Sequence, residues 1–354
     1  MEHPLNRLRR WRARRRYMPR SNRPRAGTTA KLATLALIVI VGVAALLELR
    51  RGGGAEQALI EYVTAAGAAP LDLVQVAART RRLLFISDMT SAAAPKRLAA
   101  QVIERLATTS GLDLVVLDVA GDEQPYIDLY LATAPEDASI LLSRPRAIRE
   151  TDGESRLFLD IYRTVWRVNQ ELGADRRIRI LAADYPGWPP SRAVAPAAAA
   201  EMYGRRGEHM YETVATRALG RSPNARILFF MDGLHTLRSG GARAQTGGAK
   251  PVEIVWLAAQ LAESYPQDVF TILVDAAPSR AISTAVAAYR GTHMGDVFRR
   301  AGVKSGTAVR VDERFDAITR TPIRFVGTTG LDFSLEPRAQ PMSVLADAYI
   351  YFGS

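Results

Sequence analysis

Acidic residues follow four short apolar segments, at the positions where a parallel sheet would expose functional side chains. These residues are Asp88 after LLFIS (83–87), Asp118 near the end of LVVLDV (114–119), Asp184 after IRILAA (178–183) and Asp232 after ILFFM (227–231). The carboxyl ends of parallel strands meet at one edge of the sheet, where ligands bind. One aspartate after a strand often caps the next helix, whereas four at one edge indicate a site.

A histidine, His235, comes three residues after Asp232. An imidazole close to carboxylates can act as a general base or as a metal ligand, and it can equally be a structural residue of the core. The sequence leaves these interpretations open and identifies no metal. We predict a catalytic site that comprises His235, Asp88, Asp118 and Asp184.

An arginine, Arg206, shares a helical face with apolar residues. Met210 and Val214 follow it at intervals of four residues, which places all three on one side of a helix. That side should face the interior, where a guanidinium needs a carboxylate. Arg206 is therefore either one half of a structural ion pair or a group at the sheet edge that binds Asp184 or an anionic substrate. We predict a substrate-binding role.

The segments that position these side chains alternate between strand-like and helix-like patterns. The apolar runs predict strands at Leu83–Ser87, Leu114–Val119, Ile178–Ala183, Ile227–Met231 and Phe270–Val274. Apolar residues between the runs recur at helical spacing, as at Leu98, Val102 and Leu106. Continuous apolar strands need cover on both faces. We predict an α/β fold over residues 81–354, a single domain with a mainly parallel central sheet flanked by helices, and a polar, glycine-rich loop at Ser239–Lys250.

The charge of the chain is concentrated at its N-terminus. The 354 residues include 47 Lys and Arg, 36 Asp and Glu, and no cysteine. Residues 1–30 contain ten arginines and one acid, whereas residues 52–354 hold 34 basic and 34 acidic side chains. A neutral main domain lacks the field that attracts nucleic acid. The lack of cysteine excludes thiol catalysis and disulfides.

An apolar segment follows the basic tail. Residues 32–47, LATLALIVIVGVAALL, carry no charge and one polar side chain, and as a helix they span about 24 Å. Lys31 and Arg50 can extend that span by snorkelling. We predict one transmembrane helix at residues 31–50 that contacts the lipid bilayer; a cleaved signal peptide is the alternative.

The arginine surplus before this segment predicts the orientation of the chain. Positive charge stays on the cytoplasmic side, so residues 1–30 form a cytoplasmic tail and the domain is exported. The expected location is a bacterial inner membrane, with the domain in the periplasm. Residues 51–80 are predicted to be a linker and approach segment.

The region around Arg206 and His235 resembles a known superfamily. RGEHM (206–210) and ARILFFMDGLHTLR (225–238) resemble the erythromycin esterase-like and ChaN-like superfamily, which pairs an R-x-x-x-M helix with a strand that ends in a functional histidine. The likeness extends from about Arg81 to Phe352. Esterase members have a glutamate and a histidine after the first strand, where this chain reads SDMTS (87–91).

The resemblance implies an α/β fold with a hydrolase-type pocket. His235 would be the base, the carboxylates would orient water or a metal, and Arg206 would bind developing negative charge. Two alternatives use the same scaffold. One is a non-catalytic protein that binds an organic ligand, for which only the ChaN-like comparison suggests haem; the other is a structural partner in an envelope complex.

Overall fold

The apolar runs form a central seven-stranded sheet in the computed structural model, which describes residues 54–88, 92–148, 155–189, 196–246, 252–276, 294–316, 333–337 and 340–353. The strands are β1 (Leu83–Asp88), β2 (Leu114–Ala120), β3 (Arg179–Asp184), β4 (Ile227–Asp232), β5 (Gly241–Thr246), β6 (Val252–Val255), β7 (Val269–Asp275), β8 (Thr307–Arg310), β9 (Phe333–Pro337) and β10 (Ala348–Tyr351).

Helices connect most of these strands. They are α1 (54–66), α2 (Pro70–Ala78), α3 (Ala93–Thr109), α4 (Gln124–Ala132), α5 (Ser139–Leu142), α6 (Ser155–Glu171), α7 (Pro196–Val214), α8 (Leu257–Ser264), α9 (Met294–Arg300), α10 (Glu313–Asp316) and α11 (Met342–Leu345). A single π-helical turn, Ala215–Leu219, continues α7.

The strand order of the large sheet is β3-β2-β4-β1-β7-β10-β8. Neighbouring strands are parallel except β10 and β8, which are antiparallel. The predicted α/β fold, with a mainly parallel sheet flanked by helices, is therefore confirmed.

Each central strand buries side chains on both faces, as continuous apolar strands require. In β1, Leu84 and Ile86 join the core under α3 and α6, whereas Leu83 and Phe85 join the core under α7 and α8. The aromatic ring of Phe85 stacks on that of Phe229 in β4, with ring centroids 4.0 Å apart. The two cores hold the strands in a fixed register.

The loop predicted at Ser239–Lys250 is wrong for its central part, because residues Gly241–Thr246 form β5. This strand pairs in antiparallel fashion with β6 and β9 in a second, three-stranded sheet. A Cβ on Gly241 would lie 2.3 Å from the carbonyl oxygen of Ile254 in β6. Glycine is needed here for close strand contact.

Residues Ala55–Ser354 form one compact unit. The segment predicted as a linker and approach, 51–80, is helical over most of its described part, as α1 and α2, and Leu59 and Val63 of α1 are fully buried. Among the described residues, no helix has the length and apolar character that a membrane span requires. The predicted tail and transmembrane helix, residues 1–50, lie outside the described residues.

Candidate functional site

Aspartates stand at the carboxyl ends of five neighbouring strands. In the order of the sheet, from β3 to β7, they are Asp184, Asp118, Asp232, Asp88 and Asp275. Asp88 and Asp232 are direct register partners on β1 and β4. Because the five strands are parallel, these carboxylates share one edge. The sequence analysis omitted Asp275, although it follows the fifth apolar run as the other acids follow theirs.

Arg206 binds three of these aspartates. Its Nε donates to Oδ1 and Oδ2 of Asp184 at 2.8 and 2.9 Å, and its Nη2 donates to Oδ2 of Asp184 at 2.6 Å. Its Nη1 donates to Oδ2 of Asp232 at 3.0 Å, and Nη2 lies 3.7 Å from Oδ2 of Asp118. We call Arg206, Asp118, Asp184 and Asp232 the arginine cluster.

Two carboxylates of the arginine cluster are closed to solvent, and the third is partly open to it. The side chains of Asp118 and Asp184 are 1% and 0% exposed, whereas that of Asp232 is 24% exposed. The ring of Trp188 lies 4.6 Å from the guanidinium carbon. Burial opposes the charge of Arg206, but the carboxylates of Asp184 and Asp232 raise its pKa well above the ordinary value. Asp232 is therefore the carboxylate that solvent reaches.

Two glycines of α7 place Arg206 at this edge. A Cβ on Gly204 would lie 2.0 Å from the Val252 side chain, and one on Gly207 would lie 2.0 Å from the Val255 carbonyl oxygen. The helix thus approaches β6 more closely than any side chain would permit. These glycines bracket Arg206 in the sequence, a signal the sequence analysis did not use.

Asp88, the acid of the first strand, pairs with a buried lysine. Lys96 Nζ donates to Oδ1 of Asp88 at 3.1 Å and to the carbonyl oxygen of Ala92 at 3.2 Å. The side chains of Lys96 and Asp88 are 1% and 0% exposed. The sequence analysis missed Lys96, although it lies on the apolar face of α3, three residues before the buried Ala99.

His235 lies in a turn that Asp232 organises. Oδ1 of Asp232 accepts hydrogen bonds from the backbone N–H groups of Leu234 at 2.9 Å and His235 at 3.2 Å. The imidazole is fully buried, and its centroid lies 6.1 Å from the Trp256 ring in an edge-on arrangement. Neither ring nitrogen has a hydrogen-bond partner among the described residues.

The imidazole is neutral at pH 7. The pKa of His235 is lowered to about 4, mainly by burial; the charge of Arg206 contributes to this shift, while the charges of Asp232 and Asp184 oppose it. A neutral imidazole keeps one nitrogen free as a proton acceptor. No group of three or more histidines, aspartates and glutamates among the described residues is arranged to hold a metal ion.

The structure therefore places the predicted residues in two groups. Asp118, Asp184 and Asp232 each contact Arg206, and the turn that follows Asp232 carries His235. Asp88 is on the adjacent strand but pairs with Lys96.

Comparison with known proteins identifies the fold. No family model and no curated protein matches the sequence. A succinoglycan biosynthesis protein superposes with a TM-score of 0.56 at 8% identity, covering 84% of this chain and 97% of that one. A Bacillus cereus protein superposes with a TM-score of 0.51 at 9% identity, covering 83% and 96%. These two matches show the fold. An erythromycin esterase mutant in its open conformation also matches, with a TM-score of 0.48, 10% identity, and coverage of 78% and 92%.

The fold of this chain is similar to that of the succinoglycan biosynthesis protein and the Bacillus cereus protein. The α/β fold that the resemblance implied is therefore confirmed. In this fold, the Arg206 helix and the strand that leads to His235 lie beside each other, because α7 packs on the core that β4 lines.

Proposed function

We propose that the protein is a hydrolase of esterase type in which His235 is the general base. The observation that carries the proposal is the imidazole itself, which is fully buried, neutral, and without a hydrogen-bond partner on either nitrogen among the described residues. A buried polar group normally has a partner, and one without invites a functional explanation. The turn of His235 begins at Asp232, the exposed carboxylate of the arginine cluster.

The chemistry follows from a neutral imidazole. As the oxygen of a water molecule bonds to the ester carbonyl carbon, a water proton passes to a ring nitrogen of His235. That proton then goes to the leaving alkoxide as its bond to carbon breaks, which yields an acid and an alcohol. A base with a pKa of about 4 is a weak proton acceptor, so turnover is expected to be slow.

The remaining predicted site residues take other roles in this proposal. Arg206 is a positioning residue, since its guanidinium is committed to Asp184 and Asp232. Asp118 accepts a hydrogen bond from the backbone N–H of Asp232 at 2.9 Å and so positions the exposed carboxylate. Asp88 balances Lys96 and supports β1.

The test uses the full chain in detergent with a panel of 4-nitrophenyl esters and a metal analysis of the purified protein. His235→Gln should lower kcat/KM by about 100-fold or more, the contribution of a general base. The matched control is His209→Gln, a change at a half-buried histidine of α7, which should leave kcat/KM unchanged. Hydrolysis that survives in His235→Gln would falsify the assignment.

A second candidate, a non-catalytic ligand-binding protein, is favoured by one observation. The acid of the first strand, Asp88, is neutralised by the buried Lys96, which withdraws it from chemistry. The described residues do not fit haem, because the charged neighbours of His235, namely Asp232, Asp184 and Arg206, do not provide the apolar surroundings that a porphyrin needs. No hydrolysis across the ester panel, together with a melting temperature that rises with an organic ligand, would favour this candidate.

We also propose that the domain is anchored in a bacterial inner membrane by residues 31–50 and faces the periplasm. The support is the uncharged run at 32–47 and the ten arginines that precede it. Protease added to spheroplasts should digest the domain and leave the tail intact. A protected domain with a digested tail would reverse the orientation.

A further inference from the structure

The free edge of the large sheet carries a cavity remote from the carboxylate edge. Its volume is about 570 Å³, and it runs along β3, the outermost strand. Arg179, which lines it, precedes Asp184 by five residues, about 16 Å along an extended strand. The cavity is therefore separate from the arginine cluster.

Four arginines line this cavity: Arg177, Arg179, Arg217 and Arg221. All four are exposed, and none forms an ion pair within the described part of the chain. Arg177, in the extended segment just before β3, and Arg179, the first residue of β3, alternate with buried isoleucines, so both lie on the same side. Arg217 and Arg221 come from the end of the helix that packs on that side.

The acidic side chains near the cavity do not balance this charge. Asp128 is the one acid that lines it, and its carboxylate accepts a hydrogen bond from Gln124 Nε2 at 2.8 Å. Four positive charges around a single cavity repel one another. An anion that binds between them removes that repulsion.

Protection of the sheet edge does not account for the arginines. Charged residues often prevent an edge strand from pairing with another chain, but here two side-chain amides already occupy the outward backbone groups. Gln124 donates to the Ile180 carbonyl and accepts from the Ala182 N–H, both at 2.8 Å. Asn169 donates to the Ile178 carbonyl at 2.8 Å and accepts from its N–H at 2.7 Å.

These amides also determine what kind of ligand fits. An extended peptide that added to β3 would need the backbone groups that Gln124 and Asn169 hold, so strand addition is blocked. The volume falls within the range of small-molecule sites, about 300–1,000 Å³. Leu131 and Leu181 contribute apolar surface, which suits an organic portion attached to the anion.

We propose that this cavity binds a small organic phosphate, whose phosphate group contacts the four arginines and whose apolar portion contacts Leu131 and Leu181. A guanidinium fork can donate two parallel hydrogen bonds to phosphate oxygens. The proposal is independent of the esterase-type function, because it concerns a different part of the sheet.

The test is a calorimetric titration of the full chain in detergent with phenyl phosphate, and with inorganic phosphate as the comparison. Phenyl phosphate should bind more tightly than inorganic phosphate because of its ring. Arg179→Gln and Arg217→Gln should each weaken phenyl phosphate binding about tenfold, the loss expected for one charge-assisted contact. The melting temperature should be unchanged, since both side chains are exposed.

The matched control is Arg97→Gln, which removes the same charge from an exposed position of α3 away from the cavity. It should bind phenyl phosphate as the unaltered chain does. Equal loss in Arg97→Gln would show a general charge effect and overturn the proposal. So would binding of an octaglutamate peptide in place of phenyl phosphate, or no binding of either phosphate.

Discussion

The two halves of the carboxylate edge balance their charge differently. On β3, β2 and β4, three aspartates contact the guanidinium of Arg206. On β1, Asp88 pairs with the ammonium of Lys96. Both groups are deeply buried, so each needed a counter-charge for the sheet to fold.

The difference separates a structural pair from a candidate for function. The buried pair of Asp88 and Lys96 excludes solvent, which suits support of the strand. The arginine cluster instead has one carboxylate that is 24% exposed, beside a histidine without hydrogen-bond partners among the described residues. A partly exposed carboxylate beside an unpartnered base is a feature that a purely structural cluster does not need.

The largest expected loss of stability follows from a substitution in the arginine cluster. Arg206→Met should lower the free energy of unfolding by about 5 kcal/mol, because it leaves buried carboxylates without a cation. Urea unfolding followed by circular dichroism measures the loss. Arg206→Lys keeps the charge but not the fork that binds Asp184, and should lose roughly half as much. Equal stability of Arg206→Met and the unaltered chain would contradict the role given to the cluster.

Breaking the ion pair of Lys96 with Asp88 on β1 should lower the free energy of unfolding by less. Lys96→Met should lower the free energy of unfolding by about 3 kcal/mol, since one buried carboxylate loses its partner. The double variant Lys96→Met/Asp88→Leu should recover most of that loss, because apolar residues can replace a buried ion pair. A double variant no more stable than the single one would mean that Asp88 does more than balance Lys96.

The pH dependence of stability tests the state of His235. Its pKa is lowered to about 4 by burial, against about 6.5 when unfolded. Between these pH values the unfolded chain binds a proton on His235 that the folded chain does not bind. The contribution of His235 to the free energy of unfolding is therefore present above pH 6.5 and is lost as the pH falls towards 4. The loss between pH 7 and pH 4.5 should be about 2.5 kcal/mol, measured by urea unfolding at the two pH values.

Two substitutions isolate that contribution. His235→Leu cannot be protonated, so its stability should fall less between pH 7 and pH 4.5 than that of the unaltered chain. His209→Gln should fall as the unaltered chain does. An unchanged pH dependence in His235→Leu would show that the imidazole is not held neutral.

The sequence predicted the large sheet well because continuous apolar runs mark its central strands. Runs such as LLFIS and ILFFM are too apolar to be exposed on either face, and they became β1 and β4. The strand β5 was missed because GARAQT (241–246) has no such run. It is a strand through pairing with β6 and β9, a tertiary effect that local pattern does not contain.

The sequence pointed to Asp118, Asp184 and Arg206, which the structure brings together, but it did not give the pairing of the acids. Helical spacing showed that Arg206 points inward and that Asp184 was a possible partner, as the structure has it. Nothing in the sequence showed that Lys96 would form an ion pair with Asp88. Lys96 of α3 and Arg206 of α7 approach the same edge of the sheet. Which of these two cations pairs with Asp88 depends on how α3 and α7 pack.

The smallest expected effect lies at β7, the last strand of the acidic edge. The Tyr349 hydroxyl of β10 donates a hydrogen bond to Oδ2 of Asp275 at 2.7 Å. Tyr349→Phe should lower the free energy of unfolding by about 1 kcal/mol, the usual net contribution of a hydrogen bond. Asp275 is only partly buried, so water can replace the hydroxyl. A loss as large as that of Lys96→Met would show that Asp275 depends on its partner as strongly as the buried Asp88 does.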